Sequence, residues 1–279
     1  MSALSNVIGL DIGGTKIFAG RYNNLSHLEV EAQEPTLADQ PQQATLENIL
    51  QTIEAVRNEN TKAIGISWAG FVDSSTGTIL KAPNIPSLDG FYLTQYITQH
   101  TGLPAYLEND ARLFAYAESH KHHHPPVFLG IIIGTGVGSG IILNGEILHG
   151  FNNAAGEIGH TLLHGQTIES IIAGPSLEAK LDVEQLSKAD IKTHAPLIKM
   201  AQKDLCDWLA NLVLTFDPSH IVIGGGAGIH FWSQFKDEIS QQTNERLKDF
   251  PVSLNLSFSK LKNAGAQGAA TLAWNSIQQ

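Results

Sequence analysis

Cysteine is almost absent from this chain, and so is any surplus of positive charge. Cys206 stands alone, which excludes an intramolecular disulfide and any zinc site built from several thiolates. It falls in an apolar segment with helical spacing and reads as core packing. Lys and Arg number 17 against 27 Asp and Glu, a formal charge of -10. Phosphate backbones and anionic bilayers are held through surplus cations, so nucleic acid and membrane surfaces are excluded as general partners. No apolar run is long enough to span a bilayer. The first residues lack a basic stretch and Asp11 interrupts the first apolar run, so no signal peptide is expected and the expected location is the cytoplasm. A small anion stays compatible with this charge, because backbone N–H groups, one lysine and a divalent cation can hold it locally.

What the chain does have is glycine in ordered places. With 279 residues, 42% apolar, 16% charged and 26 Gly, it has the composition of a soluble globular protein and a length that suits two domains. The most informative segment is Gly9-Leu10-Asp11-Ile12-Gly13-Gly14-Thr15-Lys16. A strand over 6–12 carries Asp11 to its end, Gly13 and Gly14 turn the chain with bare N–H groups exposed, and Thr15 and Lys16 add a hydroxyl and a charge, a combination suited to phosphate. Gly-Thr-Lys is not the Gly-Lys-Ser/Thr of a P-loop, and β-like residues over 17–22 follow where a P-loop needs a helix. The turn therefore joins two strands of a hairpin; an ordinary glycine hairpin is the competing reading of this segment alone.

Hydrophobic periodicity predicts one plan twice. The first half reads as strands over 6–12, 16–22 and 27–31, a helix over 43–57, a strand over 63–67, a helix over 92–100, a strand over 105–107 and a helix opening at Asp110. Leu46, Ile49, Leu50, Ile53 and Val56 fall on one helical face. The second half restarts with a strand over 127–133, a glycine turn over 134–140, a strand over 141–143 and an Asn144-Gly145 hairpin. A long helix over 196–215, a strand over 220–223, a helix ending near 247, a strand over 252–258 and a last helix from Ala266 complete it. The fold class is α/β: two ribonuclease-H-like lobes of the actin-like ATPase kind, with an active-site cleft between them and one glycine turn from each lobe on the phosphates. The expected lobes are 1–118, completed by the helix 265–279, and 119–264. Neither 134–140 nor 224–228 fits G-x-G-x-x-G, since Ser139 and Ile229 stand at the last glycine, which disfavours a dinucleotide-binding Rossmann domain.

Polar clusters fall at the ends of these elements. Glu108-Asn109-Asp110 closes a short strand and opens a helix, so Asp110 is either a helix cap or a carboxylate facing the cleft. Glu157 and His160 are three apart, a helical spacing that lets both reach one ligand, and Glu169 follows nine residues later.

In order along the chain, Asp11-Ile12-Gly13-Gly14-Thr15-Lys16, Asn84 in Ala82-Pro83-Asn84-Ile85-Pro86, Glu108-Asn109-Asp110-Ala111, Gly134-Thr135-Gly136-Val137-Gly138, Ala155-Gly156-Glu157-Ile158-Gly159-His160, Asp217-Pro218 before Gly224-Gly225-Gly226, and Gly268-Ala269 resemble the ROK family of sugar kinases and related repressors. The repressors carry an amino-terminal winged helix, which this sequence does not show, so kinase is the preferred reading. The resemblance implies that Asp110 is the catalytic base, taking the proton of a sugar hydroxyl, usually O6, as it attacks the γ-phosphate of ATP. It implies that Asn84, Asn109, Glu157, His160 and Glu169 hold the sugar. It places Asp11 near Mg²⁺, with a water between. Gly13, Gly14, Thr15, Lys16, Gly134, Thr135 and Gly136 match the phosphate turns, and Gly225 and Gly226 the adenosine site. ATP and Mg²⁺ are the expected cofactors, a small sugar and ATP the partners, and a homodimer the assembly.

Two departures stand out. Relatives carry a cysteine-rich zinc loop after Gly-His, whereas 161–168 has no cysteine, so no zinc is expected and His160 is left to the sugar or to packing. Trp68-Ala69-Gly70 replaces a Pro-Gly step, with Trp68 either a stacking face or core. The cluster His120, His122, His123 and His124 reads as solvated more than as a metal site. The leading expectation is a glucokinase-like hexose kinase; the alternatives are an N-acetylglucosamine, N-acetylmannosamine, mannose or fructose kinase, or a sugar sensor that binds without phosphorylating.

Overall fold

The strand Asn6–Ile12 (β1) is an apolar run buried on both faces apart from Asp11, as a central strand of a covered sheet must be. It lies antiparallel to Lys16–Asn24 (β2), which pairs with His27–Pro35 (β3), and parallel to Thr61–Trp68 (β4). Together with Ala105–Asn109 (β7) these strands form a five-stranded sheet in the order β3-β2-β1-β4-β7. A small hairpin, Phe71–Asp73 (β5) and Thr78–Lys81 (β6), lies between β4 and β7 in sequence. The computed structural model describes residues 5–24, 27–183 and 196–278.

The chain divides into two compact units, Met1–Ala117 with Leu261–Gln279, and Glu118–Lys260. In the first, helix α1 (Gln42–Val56) buries Leu46, Ile49, Ile53 and Val56 against the sheet. Helix α2 (Leu93–Thr101) ends at Gly102 in the left-handed conformation, and α3 (Asp110–Lys121) follows β7 without a loop. The second unit repeats the sheet as β10-β9-β8-β13-β14, from Val127–Ile133 (β8), Val137–Leu143 (β9), Glu146–Ile147 (β10), His220–Gly224 (β13) and Leu256–Phe258 (β14). Its core gathers around α6 (Pro196–Phe216), after α4 (Ile168–Ile172) and α5 (Gly174–Val183), with α7 (Gly226–His230) and α8 (Lys236–Leu247) beyond. Cys206 is buried in that core.

Helix α9 (Ala264–Ser276) returns to the first unit. It packs directly on β1 and β4: a Cβ on Gly9 would lie 1.9 Å from the Ala266 carbonyl oxygen, and one on Gly65 1.8 Å from that of Ala269. Only glycine permits this approach, and the helix face that meets it is built from alanines.

Several expected boundaries shift. The glycine turn is shorter than 134–140, because Val137 to Gly140 already pair with Gly130 to Ile133 in the ladder. The expected strand over 252–258 keeps only its last residues, since β13 offers partners only from Leu256 onward and the Leu254 N–H goes to Asn244 Oδ1 instead (2.8 Å). The expected 27–31 strand runs on to Pro35, paired along β2. The β5–β6 hairpin and helices α4 and α5 were not foreseen. Asn144 and Gly145, both with positive φ (52° and 85°), form the expected tight turn between β9 and β10.

Candidate active site

At the carboxyl ends of the parallel strands β1, β4 and β7, register places Asp11, Ser67 and Glu108 in one row and Ile12, Trp68 and Asn109 in the next. Ligands of open α/β sheets collect at such strand ends. The half-buried Asp11 accepts a hydrogen bond from Ser67 Oγ (2.7 Å). Burial still holds its carboxyl above the usual range, against the opposing Ser67 bond and Lys16 charge. Asp110, the first residue of α3, is pushed up to about 6, first by burial and then by the neighbouring charge of Asp11. Its Oδ1 accepts from Asn109 Nδ2 (3.0 Å) and from the Ala111 N–H (2.9 Å). Asn109 is the helix cap: its Oδ1 accepts the Ala111 and Arg112 N–H groups at 3.0 and 3.1 Å. Behind it the buried Glu108 carboxylate meets Arg112 (3.3 Å), Ser74 Oγ (2.8 Å) and the Asn109 N–H (2.7 Å).

The turn after β1 is closed by Gly13 N–H donating to the Lys16 carbonyl (3.0 Å) and pinned by the fully buried Thr36, whose hydroxyl donates to the Gly13 carbonyl (2.7 Å). Thr15 and Lys16 are exposed at its tip. The exposed Asn84 stands against it, 2.8 Å from where a Gly14 Cβ would be. No local pattern points to Thr36. Ser67 had one, a lone hydroxyl closing an apolar strand. Trp68 is 1% exposed, which settles its two readings in favour of core.

In the second unit, residues 134–136 form the turn between β8 and β9, closed by Gly134 N–H to the Gly136 carbonyl (2.9 Å) and tied to α5 by Gly174 N–H to the Gly134 carbonyl (2.8 Å). Glu169, in the first turn of α4, accepts the Val137 N–H at 2.9 Å, and its Oε2 lies 2.5 Å from where a Gly136 Cβ would be. Glu157 immediately precedes a single turn of 3-10 helix, Ile158–His160, and its Oε2 lies 3.8 Å from Nε2 of the exposed His160. The two side chains do face one another, though on a tighter helix than their spacing predicted. Ser139, not foreseen, donates to the Gly156 carbonyl and fixes that segment on β9. Gly134, Thr135 and Gly226 line one cavity of about 550 Å³, with apolar walls from Pro175, Leu177 and Phe231. Gly225, with φ of 80°, precedes α7 at the same place.

Residues 161–168, the stretch without cysteine, contain the short hairpin Leu162–Leu163 (β11) and Gln166–Thr167 (β12). Among the described residues one group, His164, Asp204 and Asp207, brings three metal-type ligand atoms within 4.8 Å of one another, yet Asp207 is already paired with the Arg246 guanidinium. The histidines near 120 pair as aromatic rings, His120 with His124 and His122 with His220, each at 4.2 Å. No described helix is long and apolar enough to cross a membrane.

A model of the ROK family matches residues 7–276. The chain therefore belongs to the ROK family. It is 28% identical to the N-acetylmannosamine kinase of Salmonella typhimurium over 95% of this chain and 97% of that one. It is 32% identical to a beta-glucoside kinase of Listeria monocytogenes over 79% of this chain and 82% of that one. Among solved structures it is similar to the ROK hexokinase of Thermus thermophilus, with a TM-score of 0.85 and 29% identity over 98% of this chain and 99% of that one. Two five-stranded sheets flanked by helices agree with that fold.

Proposed function

We propose that the protein is an ATP-dependent sugar kinase that phosphorylates the 6-hydroxyl of a hexose, with Asp110 as its base. The observation that carries this reading is Asp110 itself: a carboxylate at a strand end, oriented through one oxygen, with its pKa pushed up to about 6 by burial and Asp11. A base poised near neutrality can accept a hydroxyl proton and release it afterwards. The sugar oxygen loses its proton to Asp110 and forms a bond to the γ-phosphorus as the bond to ADP breaks.

In-line phosphoryl transfer needs positioning and charge neutralisation more than covalent help. The turns at Gly13, Gly14, Thr15 and Lys16 and at Gly134, Thr135 and Gly136 present N–H groups, a hydroxyl and a cation for phosphates, and Gly226, preceded by Gly225, lines the largely apolar cavity suited to adenosine. Asn84, Glu157, His160 and Glu169 are the polar groups left for sugar hydroxyls. Asp11 fits a hard divalent cation, an oxygen donor whose charge burial disfavours unless matched. It would hold Mg²⁺ through water, and the bound ion neutralises triphosphate charge. A homodimer in the cytoplasm completes the reading, its mass checked by light scattering.

The same site suits an N-acetylhexosamine or fructose, and the Salmonella N-acetylmannosamine kinase, similar over nearly the whole chain, favours keeping the N-acetylhexosamine as the second reading. The test is ADP release with Mg-ATP over glucose, mannose, fructose, N-acetylglucosamine, N-acetylmannosamine and β-glucosides, followed by NMR of the product to locate the phosphate. Turnover on one sugar with O6 phosphorylated is expected. Sugar binding with no turnover on any of them would make the protein a sensor.

A further inference from the structure

We propose that Gly265, in the first turn of α9, is a positioning residue for Asp11, so that the last helix of the chain sets how this carboxylate meets the metal ion; the inference rests on the kinase reading above. Register across β1 and β4 pairs Gly9 with Gly65 and Asp11 with Ser67. Strand side chains alternate between faces, so these four positions share the face that α9 covers. Over the glycine pair the helix sets Ala266 and Ala269. Over the Asp11–Ser67 pair it sets Gly265, where a Cβ would lie 2.6 Å from Asp11 Oδ1 and 2.7 Å from Ser67 Oγ. Bare strands meet the helix in one row, and a bare helix position meets side chains in the next. The room left at Gly265 is taken by the hydrogen bond that the fully buried Ser67 donates to Asp11 (2.7 Å).

What would obstruct an added methyl differs along this contact. At Gly9, Gly65 and Gly268 the nearest atom is a backbone carbonyl oxygen, of Ala266, Ala269 and Leu113, so a methyl there forces main chain apart. At Gly265 the nearest atoms belong to a carboxylate and a hydroxyl, which turn about their own side-chain bonds. Gly265 also lies within a helix, a conformation that alanine favours over glycine. The fold therefore has no need of glycine at this position, whereas the carboxylate does. Ser67 holds Oδ1, which leaves Oδ2 to accept from a water of the bound ion, and a methyl on residue 265 would swing that oxygen aside. Asn263 precedes α9 in the left-handed conformation and supplies no side-chain cap, so docking on the strands fixes how near the first turn comes to Asp11.

The test is a cycle of Gly265→Ala, Ser67→Ala and the double variant. Mn²⁺, a hard divalent probe, is titrated by EPR into the complex with the non-hydrolysable ATP analogue AMPPNP, beside thermal melts and steady-state kinetics with Mg²⁺ and the best sugar. Gly265→Ala should fold, with Tm within about 5 °C of wild type. Its Mn²⁺ affinity should fall about tenfold, the scale of disturbing a partner behind a metal ligand. Its kcat should fall about 10- to 100-fold, as for a misplaced catalytic group, while KM for the sugar stays within about twofold. The double variant should lose less than the two single effects combined, because both act on one contact. Wild-type Mn²⁺ affinity in Gly265→Ala, or strict additivity in the cycle, would overturn the inference. So would a variant that fails to fold, since the glycine would then serve the docking of α9 and not the carboxylate. If wild type transfers phosphate to no sugar, the kinase reading fails and the Mn²⁺ titration decides alone: weaker binding in Gly265→Ala upholds the link to Asp11, and equal or absent binding in both proteins overturns it.

Discussion

Glu169 accepts the Val137 N–H at 2.9 Å, and the carboxylate occupies the space that a side chain on Gly136 would need. The glycine turn of the second unit is thus shaped by an acid 33 residues further along (169 against 136). Gly136→Ala and Glu169→Ala should each raise KM for ATP several-fold, and the double variant should lose less than the two effects combined, because both disturb one contact. Steady-state kinetics of the cycle would show this; strict additivity would mean that the turn does not depend on Glu169.

Asp110→Asn should lower kcat by at least about 10²-fold with little change in sugar affinity, the scale of losing a general base. The base acts when ionised. Because burial and Asp11 push Asp110 up to about 6, kcat/KM should rise with pH through that value and level off above it. A pH–rate profile flat across this range, or near-normal turnover in Asp110→Asn, would remove Asp110 from the mechanism.

The same substitution should stabilise the fold. A carboxyl whose folded-state pKa exceeds its unfolded one disfavours folding when ionised, so the penalty is fully present above about pH 6 and fades as pH falls through that value. Thermal melts should therefore show Asp110→Asn above wild type at about pH 8, by on the order of 1–3 kcal/mol, with the difference vanishing near pH 4. A variant less stable than wild type at alkaline pH would mean that Asp110 is not strained by its surroundings.

Gly65→Ala should damage the first unit. The added methyl would sit 1.8 Å from the Ala269 carbonyl oxygen, and backbone cannot step aside as a side chain can. A loss beyond the usual overpacking cost of about 1–3 kcal/mol is expected, read as a fall in Tm or as insoluble protein. An unchanged Tm would show that α9 docks less tightly than described.

Chelation should abolish phosphotransfer, and added Mg²⁺ should restore it, because an unmatched triphosphate charge opposes transfer. The fold should survive, since 161–168 contains no thiolate for structural zinc. Mass spectrometry of the native protein with one zinc per chain, or unfolding by chelator, would contradict this.

Much of the fold was legible because strand chemistry is local. Val127–Ile133 falls where its unbroken apolar run predicts, and so does Asn6–Ile12. What escaped was set by pairing. Whether Leu256 or Val252 opens a strand depends on how far β13 extends beside it, and no local pattern states that. The candidate site divides in the same way. Asp11, Asp110 and the glycine turns announce themselves as motifs, whereas Thr36 beneath the first turn is defined by a carbonyl at Gly13, far from it in the sequence.

The docking of α9 on Gly9 and Gly65 also orders events in time. The first unit is discontinuous, its last helix following 143 residues of the second, 118 to 260, in the sequence. During synthesis β1 and β4 leave the ribosome long before α9, so the β1–β4 face of the first unit waits for its covering helix while the second unit is made. The glycine floor that admits α9 is for that interval a bare strip of sheet. A chain ending at residue 260 would hold the whole second unit joined to a first unit without α9, a state in which a chaperone has something specific to hold.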